Sequence, residues 1–289
     1  MSLSFHPVRD DFGAEVTGVD LREEMPPEVF RHVYDGLVRY GLLLFRNQNL
    51  GPEQEIAFAR RFNRIRIYLG NDDTKMVGHP EINQLGNATD ENGKPIAFQN
   101  KTGIEWHTDG TGFPYPPVST VLYCVAAPAK GGETLYASGK RAWDDLPDDV
   151  KQRLEPLKVR YSFQNLYKKL TTASDAAKTE LDDNEKSQAP DVVHPLVRTH
   201  AVTGHKALWF TEAEMACFEG MTREASAELG QEILGYISRP DYVYAHAWKP
   251  GDLMIWDNRQ MHHSPTPYTY NNEVRLMHRI SGEGDEVPC

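Results

Sequence analysis

Three short segments carry side chains that could do chemistry together. In Glu105-Trp106-His107-Thr108-Asp109-Gly110-Thr111-Gly112 an imidazole and a carboxylate stand two residues apart, in a stretch without helical periodicity. On an extended chain such side chains leave the same face with Cα atoms roughly 6.6 Å apart, so His107 and Asp109 could share one ion. Alone, His-x-Asp is a weak signal that the wet side of a surface strand would also give. A metal that does chemistry needs a third protein ligand and open positions. Residues 251–268, GDLMIWDNRQMHHSPTPY, offer one. There the turn Lys249-Pro250-Gly251-Asp252 launches a strand, and the polar loop after it ends in His262 and His263. Neighbours on an extended chain face opposite ways, so only one of the two can reach the ion. The third segment, VRLMHRI, puts Arg275, Met277 and Arg279 on one face at period two. Two guanidiniums aimed the same way need anions, either among the 42 acidic residues or on a ligand.

These residues must be positioned by a largely β framework. The runs EVTGVDL, LLLF, STVLYCVAA, ETLYA, VYAHAW, DLMIW and VRLMHRI read as short strands, many bounded by Gly, Pro, Asn or Asp. Helices are expected over residues 26–40, with Val29, Val33, Leu37 and Tyr40 on one stripe and Gly41 as the stop. Others are expected over GPEQEIAFARRF, over 138–157 in two pieces around Leu146-Pro147, and from Thr222 onward. Strands along the whole length with helices between them suit a mainly antiparallel sheet structure with flanking helices. No G-x-G-x-x-G and no G-x-x-x-x-G-K-[ST] is present to support a nucleotide-binding fold.

The 289 residues suffice for one large domain, and no linker or repeat divides them. One domain over 1–289 is expected, with a polar insertion at about 164–190 that is either a surface excursion or a lid. A net charge of −11 argues against nucleic acid or an anionic membrane as partner. Neither a secretory leader nor an apolar stretch of about 20 residues is present. Cys124, Cys217 and Cys289 read as reduced thiols, so the cytoplasm is the expected location.

The four motifs WHTD, GGET, GDLMIWDNRQMHH and RLMHR, in this order, resemble the TauD/TfdA family of iron(II) and 2-oxoglutarate-dependent dioxygenases. The resemblance spans nearly the whole chain, through GAEVTGVDL, GLLLFRNQNL, EQEIAFARRF and HPLVRTHAVTGHKALWF. It implies a double-stranded β-helix, a cupin-like jelly roll flanked by helices. It implies that His107 and Asp109 are the first two iron ligands. The family's last histidine stands four residues after the arginine of WDNR, which selects His263 over His262. Thr134 matches a threonine that contacts 2-oxoglutarate, Arg275 the arginine that pairs with its distal carboxylate, and Arg279 a residue that binds the substrate's acidic group.

Two histidines and one carboxylate leave three metal positions open, as expected of non-haem Fe(II) oxygenases, here for 2-oxoglutarate and O2. The implied reaction releases succinate and CO2 and oxidises a C–H bond of a small carboxylate, sulfonate or sulfate. Hydroxylation, followed in some substrates by bond cleavage, or desaturation or ring closure would fit. Related halogenases lack the carboxylate at Asp109, so its presence favours hydroxylation or another oxidative outcome over halogenation. Tyr68, Arg66, Asn71, Asn100 and Lys101 are further substrate-contact candidates, and a homodimer or homotetramer is expected from relatives. The slender Gly110-Thr111-Gly112 signals either a special backbone path or added room for substrate. The competing readings are a cupin-like isomerase or hydrolase that uses the ion as a Lewis acid, and a non-catalytic ligand-binding relative.

Overall fold

The computed structural model describes residues 3–68, 74–98, 106–167, 190–266 and 273–289. Its strands are β1 (Ser4–Pro7), β2 (Ala14–Thr17), β3 (Leu42–Phe45), β4 (Lys75–Met76), β5 (His79–Gly86), β6 (Ser119–Ala126), β7 (Thr134–Ser138) and β8 (Lys158–Tyr161). They continue with β9 (Val192–Pro195), β10 (Val197–Thr199), β11 (Lys206–Leu208), β12 (Met215–Phe218), β13 (Tyr244–His246), β14 (Leu253–Asp257), β15 (Met261–Pro265) and β16 (Leu276–Ser281). The helices are α1 (Pro27–Tyr40), α2 (Pro52–Arg60), α3 (Gly139–Asp144), α4 (Asp148–Leu154) and α5 (Arg223–Ile237).

A major sheet runs in the order β1-β2-β3-β14-β6-β16-β5-β4 and faces a minor sheet of β13-β7-β15. Pairing is antiparallel except between β2 and β3. Between the two sheets lie Leu44, Leu122, Cys124, Met254, Trp256 and Met277 from the major sheet and Tyr136 and Met261 from the minor one. The outer face of the major sheet is covered by α1 and α2 through Val33, Leu37, Ile56 and Phe58 against Leu43, Phe45, Val121 and Ile255. On the far side of the minor sheet, α3, α4 and α5 pack with β8 and the buried Trp209 and Phe210. The result is the double-stranded β-helix with flanking helices, built on alternation: each β14 and β6 residue faces one layer or the other.

Local chemistry agrees with the helix limits. Gly41 closes α1 in the left-handed region (φ 71°) with its N–H on the Leu37 carbonyl. Thr222 caps α5 by accepting from the Ala225 N–H. Leu146-Pro147 separates α3 from α4 as expected. Strand β5, HPEINQLG, was not foreseen. Its alternating apolar residues are few, and pairing with β16 fixes it. Nearly all of the expected polar insertion, residues 168–189, lies outside the described residues.

The end of β5 positions Arg275. Asn87 donates its N–H to the Arg275 carbonyl (3.0 Å), and its Oδ1 accepts from the Arg275 N–H (2.7 Å). This close approach requires Gly86, whose φ is +135° and where a Cβ would stand 1.8 Å from the Arg275 carbonyl oxygen. Gly86→Ala is therefore predicted to lower stability by about 2–4 kcal/mol. Gly78→Ala, also at positive φ (+82°) but with nothing within 4 Å of its Cβ, is the control and should cost about 1 kcal/mol. Denaturant unfolding of both variants tests this, and equal losses would contradict it.

Candidate metal and cosubstrate site

His107 is not part of a regular strand. It forms a single antiparallel bridge with His263, each N–H donating to the other's carbonyl at 3.0 and 2.8 Å. The bridge sets the imidazole rings 4.0 Å apart, centroid to centroid. The buried Asp109 carboxylate reaches the pair, its Oδ1 4.0 Å from His263 Nε2, and the chain turns directly after it at Gly110 (φ +71°). One donor atom from each of His107, Asp109 and His263 lies within 4.8 Å of the others. The extended-strand geometry expected for His-x-Asp is thus replaced by a bridge and a turn, yet the convergence holds.

Buried polar contacts hold Asp109 and the backbone on either side of the candidate ligands. Thr120 donates its hydroxyl to Asp109 Oδ2 at 2.6 Å. Asn258 donates Nδ2 to Thr120 Oγ1 (3.0 Å), while its Oδ1 accepts from Trp256 Nε1 (2.9 Å) and from the Asp109 N–H (3.4 Å). Thr108 and Thr211 exchange hydrogen bonds of 3.1 and 3.0 Å, and Thr108 Oγ1 donates to the Asn258 carbonyl (2.8 Å). The turn from β14 into β15 is tied by the buried Asp257, which accepts from Arg259 Nε (2.8 Å) and Nη2 (2.7 Å) and pairs with His200 at 3.0 Å. His262 points the other way, its Nε2 accepting from the Phe210 N–H at 3.3 Å. That leaves His263 as the one of the pair that faces the ion site.

The donor set fits a divalent metal. Burial, and next the charge of His107, depress His263 well below an ordinary imidazole, so its lone pair is free of a proton. Burial alone would raise Asp109, but Arg279, then His263 and His107, outweigh it and hold the carboxyl at about 2. Two imidazoles and an ionised carboxylate on one side of an ion are the facial set suited to Fe(II).

Thr134 and Arg275 lie along the adjoining part of the interior. Thr134 Oγ1 accepts from Trp248 Nε1 (2.9 Å), and the buried Arg275 donates Nε to the Gly132 carbonyl (3.2 Å). Arg279, expected to meet a substrate anion, donates Nη2 to Asp109 Oδ1 at 2.7 Å, so in this structure its anion is a candidate metal ligand. Its Nε is buried and has no hydrogen-bond partner among the described residues. The Arg279 guanidinium lies 5.6 Å from the Tyr68 ring, and Tyr68, Phe113 and Phe163 form an aromatic row with centroids 5.9 and 5.4 Å apart. Arg66 covers Phe113 at 4.5 Å. Asn71, Asn100 and Lys101 lie outside the described residues.

Sequence reasoning missed Thr120, Asn258 and Glu214. Glu214 is buried, and its Oε2 accepts from the Thr111 hydroxyl (2.6 Å) and from the Gly112 N–H. Packing explains the slender segment: a Cβ on Gly110 would stand 2.4 Å from Pro117 Cδ, and one on Gly112 3.2 Å from Glu214 Oε2. Backbone path and packing, and not added room, require these glycines. Burial drives the Glu214 carboxyl from 4.5 up to about 7, against the lowering effect of Thr111 and Gly112. A carboxyl raised on folding contributes stability that is complete below its unfolded pKa and is lost as pH rises through the folded one. Glu214→Gln, which cannot ionise, is predicted to gain on the parent between pH 4.5 and 8, by on the order of 3 kcal/mol. Unfolding of both metal-free proteins across that range is the check, and a pH-independent difference would contradict it.

Comparison with known proteins follows this geometry. Residues 4–281 match the family described as taurine catabolism dioxygenase TauD, TfdA family. The chain is 31% identical to an (S)-phenoxypropionate/alpha-ketoglutarate-dioxygenase of Sphingobium herbicidovorans, over 96% of this chain and 94% of that protein. It is 28% identical to an alpha-ketoglutarate-dependent sulfate ester dioxygenase of Pseudomonas putida, over 100% of this chain and 91% of that protein. Among solved structures, AAD-2 in complex with Mn(II) and N-oxalylglycine superposes with a TM-score of 0.81 at 26% identity, covering 100% of both chains. The chain belongs to the TauD/TfdA family of 2-oxoglutarate-dependent dioxygenases, which use Fe(II) and O2.

Proposed function

We propose that this dioxygenase oxidises a C–H bond of a small organic acid, with His107, Asp109 and His263 as its iron ligands. The observation that carries the assignment is the convergence of three donor atoms within 4.8 Å, two from imidazoles and one from an ionised carboxylate. Bound there, Fe(II) with 2-oxoglutarate and O2 supplies the oxidising power, and succinate and CO2 leave. The protein's part is placement and exclusion of water. Thr120 and Asn258 fix the Asp109 carboxylate, and the His107–His263 bridge fixes the two rings. Arg275 and Thr134 hold the distal end of 2-oxoglutarate.

Arg279 and Tyr68 face the substrate, with Asn100 a further contact by family resemblance. The unpartnered Nε of Arg279 supports an acid there, since a buried N–H without an acceptor is costly until an anion meets it. The aromatic row supports a flat apolar body beside that acid. The relatives named above act on phenoxypropionate and sulfate esters, so aryloxy acids and alkyl sulfates are the classes to screen first. Membership of the family favours this reading over Lewis-acid isomerisation or hydrolysis.

The protein is assigned to the cytoplasm on its three free cysteines, and to a homodimer or homotetramer on family resemblance. No helix among the described residues is long and apolar enough to cross a membrane.

Succinate release with a panel of such acids tests the function. Arg275→Ala is predicted to raise the KM for 2-oxoglutarate at least tenfold more than that for the acid, and Arg279→Ala to do the reverse. Equal effects of the two variants on both constants would overturn the division of roles.

A further inference from the structure

A buried tyrosine hydroxyl lies between the metal and cosubstrate residues. Tyr136, on β7, is completely buried, and its hydroxyl has no hydrogen-bond partner among the described residues. A phenol O–H in the protein interior normally finds an acceptor. Its surroundings say which acceptor is missing. In the β7–β15 register Tyr136 lies directly opposite His263, and the two rings stack at 6.2 Å. Thr134, two residues earlier, shares its face, and Gly132, which accepts from Arg275, lies two residues before that. The alternate positions 132, 134 and 136 thus lead from the Arg275 guanidinium to a metal ligand. Trp256 meets the Tyr136 ring edge-on at 5.5 Å and keeps it from rotating away. Arg275 acts on the phenol through its charge, and Thr134 Oγ1, which accepts from Trp248, stands near the hydroxyl without meeting hydrogen-bond geometry with it.

We propose that Tyr136 is a third group for the cosubstrate, its hydroxyl donating to the distal carboxylate of 2-oxoglutarate beside Arg275 and Thr134. This rests on the assignment of Arg275 and Thr134 to that carboxylate. Burial keeps the phenol protonated, and therefore a donor, at any pH at which the enzyme works. A carboxylate arriving between a guanidinium, a threonine hydroxyl and a phenol would satisfy the Tyr136 hydroxyl. The hydroxyl thereby discriminates among 2-oxo acids: one without the distal carboxylate leaves it buried and unmet.

The test is Tyr136→Phe, which keeps the ring and removes only the hydroxyl. Calorimetric titration of the anaerobic Fe(II)-loaded protein should show 2-oxoglutarate binding weakened about ten- to hundredfold. Binding of 2-oxovalerate, which keeps the keto-acid end and ends in a methyl group, should be unchanged. Thermal unfolding of the metal-free variant should show a Tm equal to or above the parent's, because no native hydrogen bond is removed. An unchanged Kd for 2-oxoglutarate, an equal loss for 2-oxovalerate, or a lowered Tm of the metal-free variant would each overturn the proposal. Arg275→Ala in the same titration separates the two levels. If it weakens 2-oxoglutarate and Tyr136→Phe does not, the Tyr136 role alone fails; if neither does, the cosubstrate assignment fails with it.

Discussion

The site depends on one backbone contact, the two-hydrogen-bond bridge between His107 and His263. Their ring nitrogens come from segments more than 150 residues apart in sequence, and only a shared backbone register can hold both rings at a separation a single ion can span. Antiparallel pairing does this without help from the metal. The rest of the interior serves that bridge. The buried Asp257–Arg259 pair fixes the turn that delivers His263, and Thr211 and Asn258 clamp Thr108 between the two other ligand-bearing positions. Such pairs contribute little net stability when intact, but removing one partner strands a buried charge. Their value here is positional.

Charge is arranged against the protein's overall field. A chain of net charge −11 brings Arg275, just before β16, and Arg279, within it, into the interior, Arg279 beside the ionised Asp109. The pairing of Arg279 with Asp109 keeps that carboxylate deprotonated despite burial, and the same arginine is the group proposed to receive the substrate's acid. Under that proposal one side chain links substrate binding to the electrostatics of the candidate metal ligand. Glu214 adds a second buried carboxyl a turn away, tied to the backbone that follows the first two ligands.

Much of this was legible in the sequence, for physical reasons that can be named. The α1 stripe of Val33 and Leu37, the proline start and the Gly41 stop are local signals that tertiary context did not need to override. The strands DLMIW and STVLYCVAA are dense in β-formers and buried on both faces, so they read clearly. The choice of His263 over His262 came from motif spacing, and the opposite facing of neighbours in a strand agrees with it. What stayed hidden depends on contacts remote in sequence. His-x-Asp reads as a strand, and only the pairing with His263 reveals a bridge and a turn. Glu214 sits in an unremarkable polar stretch more than 100 residues from the glycine it bonds. Tyr136 reads as an ordinary strand aromatic, because nothing in a sequence shows that a buried hydroxyl lacks a partner.

The most direct test of the central claim, that three side chains brought together by the bridge form an iron site adjoining a 2-oxo-acid site, is an anaerobic titration. Metal-free protein would receive Fe(II) and then 2-oxoglutarate while the visible spectrum is followed for the weak charge-transfer absorption of a keto acid chelated to ferrous iron. The account predicts that the band appears with one equivalent of iron and is lost in His107→Ala. Iron binding without the band, or a band that persists in His107→Ala, would contradict it.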